Sequence, residues 1–360
     1  MHRVATSSAP ITAFARVITG FSIGVALLGP ALAADSAKTL SCAPCHRTEA
    51  AQFDSAGMAH ALLTAAQSEI LKSHPKLMFR EGPFSYAIER HGNQSWYTLA
   101  DGQRQISLPV EWAFGLGAAG QTYVVRRDNA WYEGRVSYYR ELKGLDLTVG
   151  APREVPGNLD EAVGRRLSVR GLNECFNCHS TGALRDGSLH TESLTPGVQC
   201  RRCHEDTEAH VTAFQHPQNS QVSPPRLSAL TAGKLSEFCG QCHRTWVEVV
   251  SQGPHDVNNV RFQPYRLANA RCWDPADARI RCTACHDPHS AVAHAAGFSD
   301  SRCLACHSGG SGGKSGAKVC LTASANCATC HMPKIRIPGT HHDFTDHWIR
   351  IVRPGEPLPI

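Results

Sequence analysis

The cysteines of this chain fall almost entirely into one repeated pentapeptide, Cys-x-x-Cys-His. The chain has 16 Cys in 360 residues, and composition alone would produce about 0.04 such pentapeptides by chance. Seven copies are present: Cys42/Cys45/His46, Cys175/Cys178/His179, Cys200/Cys203/His204, Cys239/Cys242/His243, Cys282/Cys285/His286, Cys303/Cys306/His307 and Cys327/Cys330/His331. Two thiols at this spacing can each add to a vinyl group of a haem, and the following His is placed to ligate the iron. The repeat therefore predicts seven covalently bound haem c groups.

Other uses of paired cysteines fit the repeat less well. Structural zinc sites also use Cys-x-x-Cys pairs, but they do not require a His directly after every second Cys. A disulfide framework would follow no pentapeptide rule, and a thioredoxin-like redox motif would occur once, near a βαβ pattern. Two cysteines, Cys272 and Cys320, lie outside the repeat. An even leftover pair in an oxidising compartment predicts a disulfide, with two buried free thiols as the alternative.

A further set of histidines is available to bind the opposite side of each iron, as in low-potential electron-transfer haems. His289 and His210 lie three and six residues after proximal histidines, on segments that pack against haem. The predicted second ligands are His60, His190, His210, His289, His341 and His347, with His74, His255 and His342 in reserve. The seventh iron is predicted to be open or to be bound by Met58. Packing is a commoner role for a Met than binding iron.

The N-terminus has the features of a targeting segment. Arg3 and Arg16 precede an apolar run, and Ala31-Leu32-Ala33 is a small-residue cleavage site. We predict a signal peptide over 1–34 and a periplasmic location. A retained anchor is the alternative, but the run is shorter than the roughly 20 residues that span a bilayer. No later stretch is predicted to span. The net charge of +5 gives no reason to expect nucleic acid, because haem propionates would offset it.

The spacing of the haem motifs divides the chain. The first motif stands alone in 35–78, six motifs crowd 156–360, and the interval 79–155 has alternating aromatic runs separated by turns such as Arg127-Asp128-Asn129. That alternation predicts antiparallel hairpins. The remainder has short helical segments and too few apolar residues for an ordinary core. The predicted fold is therefore mostly α and irregular, organised around packed haems, with a small inserted antiparallel β domain.

The C-terminal motif resembles a known superfamily. Residues Cys327 to Lys334, followed by Phe344-Thr345-Asp346-His347-Trp348-Ile349-Arg350, resemble the C-terminal haem region of the multihaem cytochromes. That superfamily includes pentahaem nitrite reductase, hydroxylamine oxidoreductase and the tetrahaem cytochrome that accepts its electrons. Segments 196–210 and 282–289 are also similar to it. The resemblance covers roughly Cys175 to Arg350, and it implies that His347 is an axial ligand.

The sequence departs from the enzymes of that superfamily in two ways. Pentahaem nitrite reductase has Lys in place of His in its catalytic motif, whereas all seven motifs here end in His. The spacing of the Tyr residues also does not indicate the tyrosine that cross-links the catalytic haem of hydroxylamine oxidoreductase. Both departures favour a protein that carries electrons over one that converts a substrate.

Two functions follow, and the first is favoured. One is a periplasmic electron carrier that works between a donor and an acceptor protein. The alternative is an oxidoreductase that acts on a small nitrogen or sulfur compound at one five-coordinate haem. The isolated first haem, at His46, is the candidate for that haem, with Arg80, Arg90 and Arg104 available to line its pocket. A haem-based sensor would need only one haem. The sequence specifies neither the substrate nor the oligomeric state.

Overall fold

The computed structural model describes residues 42–205, 207–215, 226–292, 297–308, 319–353 and 355–360. The predicted signal peptide over 1–34 lies outside these ranges. Within the described ranges, no helix is long and apolar enough to cross a membrane. The division of the remaining chain at residues 78 and 155 stays a prediction.

The largest element is a nine-stranded antiparallel sheet. Its strands are β1 Leu62–Thr64, β2 Lys76–Glu81, β3 Phe84–His91, β4 Gln94–Ala100, β5 Gln105–Phe114, β6 Gln121–Arg127, β7 Ala130–Tyr139, β8 Gly144–Leu147 and β9 Gly164–Arg166. Strands β2 to β8 follow one another in the sheet, while β1 pairs with β5 and β9 pairs with β7. Strands β2 and β8, at the two ends of the strand order, lie against each other. The sheet is therefore strongly curled.

Turn residues and alternation explain the hairpins. Asp128 and Asn129 join β6 to β7 with φ values of 49° and 62°, the left-handed backbone that a two-residue type I′ turn requires. Phe84, Tyr86 and Ile88 of β3 are buried and alternate with more exposed neighbours, as expected of a strand with one face in a core. The hairpins predicted from the sequence are confirmed here.

The predicted fold class, however, is wrong. The chain is not mostly α with a small β insertion, because the sheet extends from Leu62 to Arg166 and dominates the structure. Strands β1 and β9 lie outside the interval 79–155. Strand β1 pairs with the C-terminal end of β5, and β9 pairs with the N-terminal half of β7. Each has only three residues, too few to show an alternating pattern in the sequence. The helical share was overestimated because a haem motif needs only one helical turn.

The described helices are short. They are α1 Arg47–Phe53, α2 Glu69–Ser73, α3 Leu159–Ala162, α4 Val169–His179, α5 Cys200–Cys203, α6 Thr207–Gln215, α7 Ala232–His243, α8 Trp246–Gln252, α9 Gln263–Ala268, α10 Cys282–Cys285, α11 Asp300–His307 and α12 Cys327–His331. Three 3₁₀ helices cover Gly57–His60, Leu227–Ala229 and Val257–Arg261. Two-stranded ladders pair β10 Ser180–Thr181 with β13 Thr195–Pro196, β11 Leu184–Arg185 with β12 Ser188–Leu189, and β14 Lys334–Arg336 with β15 Asp343–Thr345.

Helix α4 is anchored to the sheet by one aromatic side chain. Phe176 is fully buried and meets the rings of Phe114, Trp112 and Trp131 edge-on, at centroid distances of 5.2, 5.8 and 6.4 Å. Edge-to-face pairs of this kind add to the free energy of burial. Because the second haem motif forms the end of α4, this contact fixes that motif against the sheet.

Replacing Phe176 with Ala should therefore destabilise the fold by about 3–5 kcal/mol, because the cavity between α4 and the sheet cannot close fully. The measurement is the guanidinium unfolding midpoint of the holoprotein. Val169→Ala is the matched control on the same helix, since Val169 is 75% exposed and its loss should cost less than about 0.5 kcal/mol. Equal midpoints for the two variants would contradict this account of the anchor.

Candidate haem-binding site

Each of the seven Cys-x-x-Cys-His motifs forms one helical turn. The turn is free-standing in the first, third and fifth motifs, where the N–H groups of His46, His204 and His286 donate to the carbonyls of the first cysteine at 2.8–2.9 Å. The second, fourth, sixth and seventh motifs end the helices α4, α7, α11 and α12. A helical turn places residues three apart on one face. Both thiols of each motif can therefore reach one edge of a haem.

Two proximal histidines are oriented by backbone carbonyls. Nδ1 of His179 lies 3.0 Å from the carbonyl oxygen of Ala61, and Nδ1 of His331 lies 2.9 Å from that of Arg350. A carbonyl can only accept, so Nδ1 must carry the proton and donate it. Nε2 is then left unprotonated, which is the state in which an imidazole binds a metal.

Burial keeps the imidazoles neutral. The pKa values of His179 and His286 are lowered, chiefly because these rings are partly removed from water. Burial also lowers the pKa of His347 to about 4. Metal binding requires the neutral form of His. These side chains are therefore in the required state at neutral pH without paying for deprotonation.

Three proximal histidines face a second histidine at nearly the same distance. The ring centroids are 6.3 Å apart for His46 and His210, 6.1 Å for His204 and His289, and 6.1 Å for His286 and His347. Two metal–nitrogen bonds of about 2 Å, together with the distance from each bound nitrogen to the centre of its ring, give about 6 Å between the ring centroids. The spacing thus fits one iron held between the two rings of each pair. The donor set of these pairs suits haem with two axial histidines.

The other predicted second ligands lie elsewhere. Nε2 of His60 contacts the carbonyl of Asp54 at 2.7 Å, and Nδ1 of His190 contacts Glu192 at 2.9 Å. Nε2 of His341 pairs with Asp146 on β8 at 2.7 Å. The structure does not bring these three to a proximal histidine, and their role as ligands stays a prediction.

The reserve candidates are likewise in other surroundings. His74 packs on Tyr138 and His342 packs on Phe344, at centroid distances of 5.0 and 4.8 Å. His255 adjoins Gly253. The carbonyl of Met58 accepts the N–H of Val198.

Thiols of different motifs lie in contact. Cys42 of the first motif hydrogen-bonds Cys200 of the third, and burial together with this neighbour raises the pKa of Cys42. Cys178 of the second motif hydrogen-bonds Cys242 of the fourth, which raises the pKa of Cys178 and lowers that of Cys242 to about 7. Haems bound at such pairs of motifs would be close neighbours.

The remaining motifs continue the same row. Cys239 of the fourth motif hydrogen-bonds Cys282 of the fifth, and Cys303 of the sixth hydrogen-bonds Cys327 of the seventh. Electrostatic contacts join the third motif to the fourth and the fifth to the sixth, through Cys203 with Cys242 and Cys303 with Cys285. The motifs therefore form one continuous row in the order first, third, fourth, fifth, sixth and seventh, with the second beside the fourth.

The two leftover cysteines do not form a disulfide with each other. Neither Cys272 nor Cys320 is part of a disulfide among the residues that the structure describes, so the predicted disulfide between them is wrong. Cys320 is exposed, and the N–H groups of Ala323 and Thr322 lower its pKa. Cys272 instead has Cys303 of the sixth motif as an electrostatic neighbour. The even number of leftover cysteines had predicted a disulfide, but the two residues have different neighbours in the structure.

The arginines predicted to line a pocket over the first haem belong to the sheet. Arg90 donates to the carbonyl of Ala65 at 2.9 Å, and Arg104 pairs with Asp101 at 3.5 Å. Arg80 lies opposite Ser85 in the pairing of β2 with β3.

The sequence analysis did not identify the carbonyls of Ala61 and Arg350 that orient His179 and His331, since a backbone group has no sequence signature.

Comparison with known proteins supports the haem assignment over part of the chain. The model of the family "cytochrome c554 and c-prime" matches residues 157–205, which contain the second and third motifs. No curated protein and no solved structure matches the chain. The family match supports a multihaem c-type cytochrome with covalently bound haem, which works in electron transfer or oxidoreduction and has redox proteins as partners.

Proposed function

We propose that this protein is a periplasmic heptahaem cytochrome that passes electrons between a donor and an acceptor protein. The observation that carries the proposal is the continuous row of haem motifs, in which cysteines of neighbouring motifs interact by hydrogen bonds or electrostatically. When bound, the haems supply one-electron redox chemistry at iron. A row without gaps is the arrangement that long-distance electron transfer needs, whereas a single reaction centre does not need it.

The chain's own residues hold and tune the irons. In the proposal each motif supplies two thioether bonds and one proximal His, while His210, His289 and His347 supply the second ligand for the first, third and fifth motifs. Their spacing from the proximal rings supports this assignment. Two histidines per iron favour low potentials, and hydrogen bonds to the ligating rings are a further means of tuning.

Each end of the row exposes one haem-motif cysteine to solvent. Among the fourteen cysteines of the seven motifs, the exposed ones are Cys45 of the first motif and Cys330 of the seventh. These are also the two ends of the row. The exposure supports one site of electron exchange at each end, which suits a protein that contacts two different partners. Export to the periplasm agrees with covalent haem and with the predicted signal peptide over 1–34.

The same geometry counts against catalysis at the first haem. An open iron there would need the side opposite His46 to be empty, but the ring of His210 lies 6.3 Å from it. Of the three arginines predicted to line a substrate pocket, Arg80 lies on β2, Arg90 donates to the carbonyl of Ala65, and Arg104 pairs with Asp101 in the turn before β5. We therefore favour the electron carrier over the oxidoreductase.

The experiment compares absorption and low-temperature electron paramagnetic resonance spectra of the oxidised and reduced holoprotein, with and without nitrite, hydroxylamine and cyanide. For an electron carrier, the low-spin signals should persist and none of the three ligands should shift them. A high-spin signal that moves when nitrite or hydroxylamine is added would overturn the carrier in favour of an oxidoreductase.

A further inference from the structure

A buried ion pair adjoins the Thr-Asp-His segment near the C-terminus. The side chains of Arg266 on α9 and Asp346 are both fully buried. Nε and Nη2 of Arg266 donate to the two carboxylate oxygens of Asp346 at 2.8 Å each. Burial by itself would raise the pKa of Asp346, but the bonds from Arg266 and other donors outweigh it and hold the pKa below its ordinary value. A two-bond fork of this kind fixes the orientation of the carboxylate as well as its position.

Arg266 is itself held from three sides. Its Nη1 donates to Oδ1 of Asn259 at 3.0 Å and to the carbonyl of Pro359 at 2.7 Å. Its guanidinium lies over the ring of Trp348, 4.8 Å from the centroid. A planar guanidinium with its donors paired and its face stacked has little freedom to move. Asp346 is therefore bound to a rigid group.

Asp346 fixes the backbone on both sides of the ligand that follows it. Its N–H donates to the carbonyl of Pro333 at 2.9 Å, and its Oδ1 accepts the N–H of Trp348 at 3.0 Å. His347 lies between these two bonds and is partly buried. The backbone that carries His347 is thus clamped in the position from which its ring faces His286.

The same carboxylate reaches the seventh motif. Nη1 of Arg350 donates to Oδ2 of Asp346 at 2.6 Å and to the carbonyl of Trp348 at 3.0 Å. The backbone of Arg350 in turn bonds His331 twice: its N–H donates to the carbonyl of His331 at 3.2 Å, and its carbonyl accepts from Nδ1 at 2.9 Å. One buried carboxylate thus connects axial histidines that belong to two different haems.

We propose that Arg266 and Asp346 are positioning residues for two axial ligands at once, namely His347 opposite His286 and His331 in the seventh motif. The inference rests on the proposed function, because it takes these histidines as haem ligands. It adds that the ligand geometry at two sites of the row depends on one ion pair. Neither residue touches a haem in this proposal, since both act through the histidines.

The test is Arg266→Lys in the haem-loaded full-length protein. Lys keeps the positive charge but loses the two-bond fork, so the carboxylate should rotate and carry the histidines with it. We expect about two of the seven haem equivalents of low-spin signal to move to new g values, and the matching steps of a potentiometric titration to shift. The other haem signals should not move. Unchanged g values and potentials would overturn the inference.

The sheet provides a matched control. Arg135 forms an equally short two-bond pair with Glu81, at 2.6 and 2.7 Å, and both side chains are at least nine-tenths buried. This pair contacts none of the haem motifs that the structure describes. Arg135→Lys should therefore lower the unfolding midpoint while every haem signal stays in place. If the control moved the same haem signals as Arg266→Lys, a general loosening of the fold would explain both, and the positioning role would be rejected.

A milder variant keeps the inference testable if Arg266→Lys does not accumulate. Arg350→Met removes one bond to Asp346 but leaves the pair with Arg266 intact. It should move the signal of the seventh motif alone, about one of seven haem equivalents. No movement of that signal would overturn the link to His331. The haem content and ligand-binding spectra of the unaltered protein decide the proposed function separately, so the two can fail independently.

Discussion

A variant in which Cys239 and Cys242 are both Ala should carry one haem fewer and should no longer pass electrons along the whole row. The fourth motif is the junction of the row, because its cysteines hydrogen-bond those of the second and fifth motifs and interact electrostatically with Cys203 of the third. Without it, the first and third motifs separate from the fifth, sixth and seventh, and the second motif loses its neighbour in the row. Helix α7 should still pack, since Ala232 and Leu235 at its other end are buried.

Two measurements check this result. The ratio of haem to protein should fall by one haem equivalent. Pulse radiolysis, which delivers one electron per molecule, should show fast equilibration among all haems in the unaltered protein and separate groups of haems that exchange electrons slowly in the variant. The matched control is the double variant Cys327→Ala and Cys330→Ala, which also removes one haem, but from the end of the row. Fast equilibration in both variants would contradict the order of the row.

Replacing His289 with Ala should open one iron. The ring of His289 lies nearly parallel to that of His204, at an interplanar angle of 9° and a centroid distance of 6.1 Å. Removing it leaves the iron of the third motif with one protein ligand and an empty sixth position. A haem with a single axial His has room for an external ligand. About one of the seven haem equivalents should therefore change from low spin to high spin and bind cyanide.

The control for His289→Ala is His341→Ala. Both histidines were predicted as ligands from the sequence, but His341 pairs with Asp146 and meets the ring of Tyr139 edge-on, at a centroid distance of 4.8 Å. Its loss should weaken the contact between the C-terminal ladder and the sheet and leave every haem low-spin. A high-spin signal in His341→Ala, or its absence in His289→Ala, would show that the ligands are assigned incorrectly.

Seven haem attachment sites could be predicted from the sequence because their chemistry is local, and the family match supports covalently bound haem over the second and third of them. Two thioether bonds and one iron–His bond all come from five consecutive residues, so the spacing alone reveals them. The second ligands depend on tertiary structure. His210, His289 and His347 meet proximal histidines, whereas His60, His190 and His341, which had equally suggestive positions, form other contacts. A lone His has no local feature that tells these cases apart.

The fold class was missed for a related reason. The hairpins between β3 and β7 were visible as alternating runs, but the pairing of β1 with β5 joins residues about fifty positions apart in the chain. The Arg266–Asp346 pair spans 80 residues and was invisible as well, although Asp346 directly precedes a histidine that the resemblance had identified. Long-range partners of buried charges are decided by packing, which a single sequence does not encode in any local pattern.

The most direct test of the central claim is a coulometric reductive titration of the purified full-length protein, combined with its haem content. The account predicts seven haems per chain, seven electrons taken up per chain, and rapid exchange of those electrons among all the haems. Fewer than seven haems, or a group of haems that exchanges electrons with the rest only slowly, would contradict a continuous row and with it the proposed electron carrier.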